Sequence, residues 1–119
     1  MTFATPPLEG IVVIIQDESP TARRLELALA QAGAAVFTTR RSQETVAEMR
    51  RLQPRIIVMD SGLDPDGAIA IWSEARPDWQ CRIIHYVGED VEPVLGRKVP
   101  RTKLASAVVE MVREIVLND

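Results

Sequence analysis

Five short runs rich in β-branched and other apolar residues constrain this fold more than any other feature of the sequence. Four cover residues 11–15, 35–39, 55–60 and 82–87, and a shorter one opens at Val94–Leu95. Such runs predict strands, and the continuous ones predict strands buried on both faces. Helical patterns separate the first four strands, and another helix follows the fifth. This alternation predicts a doubly wound α/β domain, with helices on both faces of a parallel sheet.

Polar residues are placed to cap three of these helices. Ser19, Ser42 and Thr102 each precede a helical pattern, and their hydroxyls are able to accept a hydrogen bond from a free N–H group of the first turn. Pro20 follows the first of them, at a helical position that tolerates proline. In the last helix, we expect Leu104 to face the core.

Length and composition indicate one ordinary domain. A chain of 119 residues suits a single core. We expect a flexible N-terminal arm over residues 1–9, since Pro6 and Pro7 disfavour regular structure, and a domain over residues 10–119. The net charge of −3 argues against a nucleic-acid partner. No apolar stretch approaches the roughly 20 residues of a membrane span, and the N-terminus lacks a signal-peptide pattern, so we expect a cytoplasmic protein.

Cysteine and histidine side chains are scarce. Cys81 is the single cysteine and His85 the single histidine, which argues against a disulfide framework and a multi-histidine metal site. His85 lies inside a predicted strand, where we interpret it as a structural residue rather than a phosphorelay donor. Arg23 and Arg24 are most simply part of a solvated helix face.

Three carboxylates are expected to meet at one edge of the sheet. Asp17 and Glu18 follow the first strand, and Asp60 ends the third. In a sheet of strand order 2-1-3-4-5, the first and third strands are neighbours, and ligands bind at the carboxyl ends of such strands. Several carboxylates in one place repel each other, and Mg²⁺ is a cation that such oxygen ligands commonly hold.

The acid pair in QDESPTARRL, the strand end in VMDSGLDPDG and the fourth strand in IIHYVGED resemble the receiver domain of two-component response regulators. The resemblance covers about residues 10–117. It implies a five-stranded flavodoxin-like (CheY-like) fold, and a phosphoacceptor at Asp60. It also implies Mg²⁺ held by Asp17, Glu18 and Asp60. A register with Gln16 and Asp17 as the acid pair stays open, and Asp17 belongs to both.

The same resemblance implies the partners. A sensor histidine kinase or a phosphotransfer protein would supply the phosphoryl group, and a downstream protein would receive the signal. The chain would then be a bacterial signalling protein rather than an enzyme. The sequence names neither partner, and it leaves a homodimer open.

Two positions depart from the receiver pattern. Receivers keep a Thr or Ser at the end of the fourth strand, whereas this chain has Val87, which lacks a hydroxyl. They also keep a Lys before a proline at the end of the fifth strand. Here Arg97 and Lys98 both remain candidates for the cation that contacts the phosphoryl group.

The connection between the last two strands is also short. Only ten residues separate Val87 from Lys98, which is too few for a full helical crossover. We therefore expect the fourth helix of the receiver pattern to be short or absent. The loss would leave one face of the sheet thinly covered.

Three functions are compatible with these sequence features. The first is a regulator phosphorylated on Asp60 with Mg²⁺, acting through protein contact. The second is a pseudo-receiver, an interaction module that no longer switches by phosphorylation, which Val87 and the missing helix favour. The third, a nucleotide binder, needs a phosphate-binding loop after the first strand. The acidic segment QDESP stands there instead, so this function is disfavoured.

Overall fold

The computed structural model describes residues 6–17, 19–59, 70–71, 73, 81–93 and 96–118. Five parallel strands form one sheet of order β2-β1-β3-β4-β5, which confirms the predicted α/β fold. The strands are β1 (Val12–Gln16), β2 (Ala35–Thr39), β3 (Ile56–Met59), β4 (Arg82–Val87) and β5 (Arg97–Pro100). The helices with described bounds are α1 (Thr21–Gln31), α2 (Ser42–Leu52) and the C-terminal helix (Ala105–Asn118). Ala70, Ile71 and Ser73 also have helical backbone.

The sheet separates two apolar clusters. One cluster contains buried side chains of α1 and the C-terminal helix, and the other contains Met49 of α2 together with Ile71. Neighbouring residues of β4 alternate between them: Ile83 belongs to the second cluster and Ile84 to the first. Helices therefore cover both faces, as the continuous apolar strands predicted.

Register brings the carboxyl ends of the central strands to one level. Gln16, the last residue of β1, pairs with Thr39 of β2 on one side and with Met59 of β3 on the other. Val87, the last residue of β4, likewise pairs with Pro100, the last residue of β5. Residues that follow these strand ends therefore share one edge of the sheet, where the candidate site is expected.

The prediction of a loose N-terminal arm is wrong for Leu8. This side chain is fully buried in the cluster of α1 and the C-terminal helix. Its backbone N–H donates to the carbonyl oxygen of Ala32 at 2.8 Å. A Cβ added at Gly33 would lie 2.7 Å from Pro6 Cβ, so the segment packs closely on the end of α1. Proline disfavours helix and strand, but it does not prevent packing. Residues 1–5 lie outside the described residues.

The three predicted helix caps are also wrong. No side chain caps α1 or α2. The hydroxyl of Ser19 donates to Asp17 instead, and that of Ser42 accepts a bond from Gln16 at 3.1 Å. Thr102 donates to the Glu89 carboxylate at 3.0 Å. One partner in the local turn after β1 and two partners distant in the sequence therefore occupy the hydroxyl groups that the helix starts were expected to use.

Two boundaries near the C-terminus differ from the prediction. The strand expected to open at Val94–Leu95 spans Arg97–Pro100 in the described residues, and positions 94 and 95 lie outside them. Leu104 is 79% exposed rather than inward. The C-terminal helix begins one residue later, so Leu104 stands outside the periodic apolar face of that helix.

The described residues between β4 and β5 contain a turn and no helix, in agreement with the predicted loss of the fourth helix. The expected thin cover is nevertheless wrong for β4, because Ile83, His85 and Val87 are each at most 3% exposed. Lys98 holds this connection against β5, since its ammonium group donates to the carbonyl oxygen of Glu89 at 2.6 Å.

None of the helices in the described part of the chain has the length and apolar character of a bilayer span.

We predict that Leu8→Ala destabilises the protein by about 2–5 kcal/mol, because it removes a fully buried side chain. Leu117→Ala is the matched control, since Leu117 is 73% exposed. Urea unfolding followed by circular dichroism measures both changes. Equal stability of the two variants would show that residue 8 is not part of the core.

Gly96 tests the close approach of the β4–β5 connection to the sheet. Its φ is +86°, and an added Cβ would lie 2.4 Å from the carbonyl oxygen of Ile83. Gly10 has a similar φ of +82° with nothing within 4 Å of its added Cβ. We predict that Gly10→Ala costs about 1–3 kcal/mol for the left-handed backbone, and that Gly96→Ala costs more. Equal midpoints in urea would contradict the clash.

Candidate functional site

Asp17 is the one predicted carboxylate ligand that lies within the described part of the chain. It follows β1, and its backbone N–H donates to the carbonyl oxygen of Thr39 at 3.0 Å. Its side chain is only 1% exposed. Oδ1 accepts two bonds from Ser19, one from the backbone N–H at 2.7 Å and one from the hydroxyl at 2.6 Å. The local turn after β1 therefore already satisfies one carboxylate oxygen.

Arg101 satisfies the other oxygen. Its Nη2 donates to Asp17 Oδ2 at 3.1 Å, and its Nη1 lies 3.4 Å from the Ser19 hydroxyl. A carboxylate removed from water requires such compensation, and an arginine fork supplies both charge and directed hydrogen bonds. Arg101 is the cation of this site, and the sequence reasoning did not find it.

The position of Arg101 does not depend on Asp17 alone. The backbone N–H of Arg101 donates to the carbonyl oxygen of Val87 at 2.8 Å, and its Nε donates to that of Tyr86 at 3.0 Å. The guanidinium carbon lies 5.2 Å from the centre of the Tyr86 ring, within the range of a cation–π contact. Tyr86 in turn donates its phenol hydrogen to the carbonyl oxygen of Lys103. Arg101 is thus anchored to the end of β4.

The two cations that the sequence proposed bind elsewhere. Arg97 contacts Glu114 of the C-terminal helix at 3.3 Å. Lys98 contacts Glu92 at 3.3 Å, on the β4–β5 connection. The receiver pattern, in which the lysine precedes a proline, points only to residues before Pro100. The useful signal was an arginine just after the end of the last strand, where a side chain is able to reach across the sheet edge.

Val87 lies at the end of β4 and is 2% exposed. Tyr86 belongs to the cluster of α1 and the C-terminal helix, so strand alternation turns the Val87 side chain to the opposite face. The position predicted to match the receiver hydroxyl is therefore buried and apolar in this chain. The backbone of Val87 still serves the site, since its carbonyl oxygen holds the Arg101 N–H.

A buried polar network beside Asp17 was not predicted. Thr45 donates to Gln16 Oε1 at 2.7 Å, and its hydroxyl lies 2.6 Å from that of Thr39. Gln16 Nε2 donates to Ser42 at the start of α2. These bonds hold the Gln16 amide against α2, so among the described residues Asp17 is the acid that follows β1. The sequence feature that could have predicted this network is the polar residue at the end of each of two strands, Gln16 in β1 and Thr39 in β2.

The other predicted metal ligands, Glu18 and Asp60, lie outside the described residues. Within the described part of the chain, no group of three or more His, Cys, Asp or Glu residues is placed to hold a metal ion. Asp17 as it stands does not fit Mg²⁺ well, because both of its oxygens accept bonds from protein donors. Arg101 already places a positive charge beside Oδ2.

Cys81 lies just before β4 and is buried. Burial raises the pKa of its thiol to about 11, against the opposing effect of the Arg82 and Arg55 charges. A thiol with so high a pKa carries little thiolate at neutral pH, so Cys81 is a structural residue rather than a nucleophile.

Comparison with solved structures identifies the architecture. A CheY-like protein, tadZ of Pseudomonas aeruginosa, superposes with a TM-score of 0.68 at 16% identity, over 89% of this chain and 99% of that one. The beryllofluoride-activated NtrC receiver domain superposes with a TM-score of 0.66 at 20% identity, over 92% of this chain and 96% of that one. The chain has the receiver-domain fold. The pseudo-receiver domain of CikA shares this receiver-domain fold, with a TM-score of 0.63 at 14% identity, over 90% and 97%. No protein-family model and no curated protein matches the sequence.

We predict that Tyr86→Phe loosens the loop that carries Arg101. The change removes the phenol bond to Lys103 but keeps the ring beneath the guanidinium. Loss of one neutral hydrogen bond should cost about 0.5–1.5 kcal/mol in urea unfolding. Amide exchange of residues 101–104 should accelerate more than that of β1. Uniform acceleration across the sheet would contradict a local role for the hydroxyl.

Proposed function

We propose that this chain is a receiver-fold signalling module that acts by contact with another protein and lacks the hydroxyl-based phosphorylation switch. The observation that carries the proposal is Val87, buried at the end of β4. A valine cannot donate a hydrogen bond to a phosphoryl group, so position 87 has no side-chain donor that would follow such a group. This is the pseudo-receiver function.

The β4–β5 connection supports the proposal. Glu89 accepts a bond from Lys98 at its carbonyl oxygen and another from Thr102 at its carboxylate. These bonds join the turn after β4 both to β5 and to the loop that carries Arg101. The described residues of the connection contain no helix that a switch could reposition. Signalling through a fixed surface is the simpler use of such a structure.

Phosphorylation of Asp60 is the competing proposal, with Mg²⁺ held by Asp17, Glu18 and Asp60. The sheet register supports it, because Gln16 pairs with Met59, and Asp17 and Asp60 come next in the sequence after these two paired residues. A histidine kinase or a phosphotransfer protein would then be the donor. Both proposals concern a signalling domain that acts on a protein partner, and they differ in whether the domain responds to a phosphoryl group.

Acetyl phosphate with Mg²⁺ separates the two proposals. We expect the amide resonances of β4 and β5 in the ¹⁵N-labelled chain to stay unchanged, whether or not intact-mass analysis finds an adduct. Asp60→Asn is the control, because it removes the predicted acceptor. An adduct that depends on Asp60 and shifts the resonances of Val87 and Lys98 would overturn the pseudo-receiver proposal in favour of the competing one.

A further inference from the structure

We propose that Arg101 is the resident cation of this site, so that its guanidinium takes the place that Mg²⁺ would occupy at Asp17. The inference deepens the proposed function and rests on it for the location of the site. It is independent of whether a phosphoryl group reaches Asp60. It concerns only which positive charge neutralises the buried carboxylate at the end of β1.

Hydrogen bonding leaves Asp17 little capacity for a metal. A carboxylate offers about four acceptor positions. Two bonds from Ser19 reach Oδ1, and Arg101 Nη2 reaches Oδ2 at 3.1 Å. Mg²⁺ requires nearly octahedral geometry at roughly 2.0–2.1 Å. A magnesium ion on Oδ2 would stand beside the guanidinium, and the two like charges would repel each other.

Arg101 is also costly to displace. Its Nε bond to Tyr86, its position over the Tyr86 ring and its backbone bond to Val87 would hold it at this edge without any contribution from Asp17. The Asp17 side chain is 1% exposed and that of Arg101 is 28% exposed, so water screens the pair poorly. Such a pair differs from an exposed ion pair, whose contribution is close to zero.

The two cations of β5 cannot take over the role of Arg101 where they stand. Arg97 is paired with Glu114, and Lys98 with the β4–β5 connection. Loss of the Arg101 charge would therefore leave Asp17 with the Ser19 donors alone among the contacts described. A buried carboxylate in that condition attracts a cation from solution, and Mg²⁺ is the one suited to hard oxygen ligands.

The test is a Mg²⁺ titration of the ¹⁵N-labelled full chain at constant ionic strength, followed by NMR. We expect Arg101→Gln to bind Mg²⁺ at least tenfold more tightly than the original chain, with shifts at the amides of Asp17 and Ser19. Arg97→Gln is the matched control, because it removes an arginine of the same strand region that is paired outside the site. It should bind Mg²⁺ no better than the original chain.

The double variant Arg101→Gln with Asp17→Asn should lose the gain in affinity. Persistence of the gain would place the metal elsewhere and overturn the proposal. Tight binding by the original chain, with no improvement in Arg101→Gln, would overturn it as well. Should Arg101→Gln fail to fold, Arg101→Met replaces it, since methionine keeps a flexible apolar side chain against the Tyr86 ring but removes the charge. That variant should bind Mg²⁺ more tightly than the original chain, and equal affinity would overturn the proposal.

These results are distinguishable from those for the proposed function. The titration contains no phosphoryl donor, so it reads only the competition between Arg101 and Mg²⁺ for Asp17. A phosphoryl-dependent shift in β4 and β5 would overturn the pseudo-receiver proposal without bearing on the cation. Tight Mg²⁺ binding by the original chain would overturn the cation proposal without restoring a hydroxyl at Val87.

Discussion

Burial of the Asp17 carboxylate at the end of the central strand requires a counter-charge, and Arg101 supplies it. The guanidinium reaches Asp17 only when β5 is paired with β4 and the Arg101 N–H is bonded to the carbonyl oxygen of Val87. The ion pair thereby couples the first strand of the chain to the loop after the last strand. Breaking one half of such a pair leaves an uncompensated buried charge, which is far more costly than losing an exposed pair.

Charged side chains also organise the short connection between β4 and β5. In place of a helix, the described residues form a turn that Lys98 and Thr102 hold through Glu89. Polar bonds of this kind fix one conformation of a short segment, whereas a packed helix is able to shift between alternative positions. Together with the apolar Val87, this connection is the basis of our proposal that the β4–β5 edge acts as a fixed surface for contact with another protein.

Much of the fold could be predicted because strand and helix periodicity are local properties of the sequence. The β-branched runs around Ile14, Ile57 and Ile84 require burial on both faces, which a parallel sheet covered by helices provides. The cap predictions failed because a hydroxyl near a helix start has several acceptors to choose from. Ser19 uses Asp17, two residues before it in a local turn, and Thr102 uses Glu89, which only the folded chain brings close to it.

The sequence by itself determined the alternation of strands and helices and the position of Asp17 directly after the first strand. Its resemblance to receivers added the strand order and the absence of the expected hydroxyl at Val87. Only the tertiary structure decided which cation serves Asp17. Arg97, Lys98 and Arg101 lie within five positions of each other and carry the same charge. Their partners differ because strand alternation and the turn after Pro100 aim each side chain in a different direction, and those directions exist only once β5 has paired with β4.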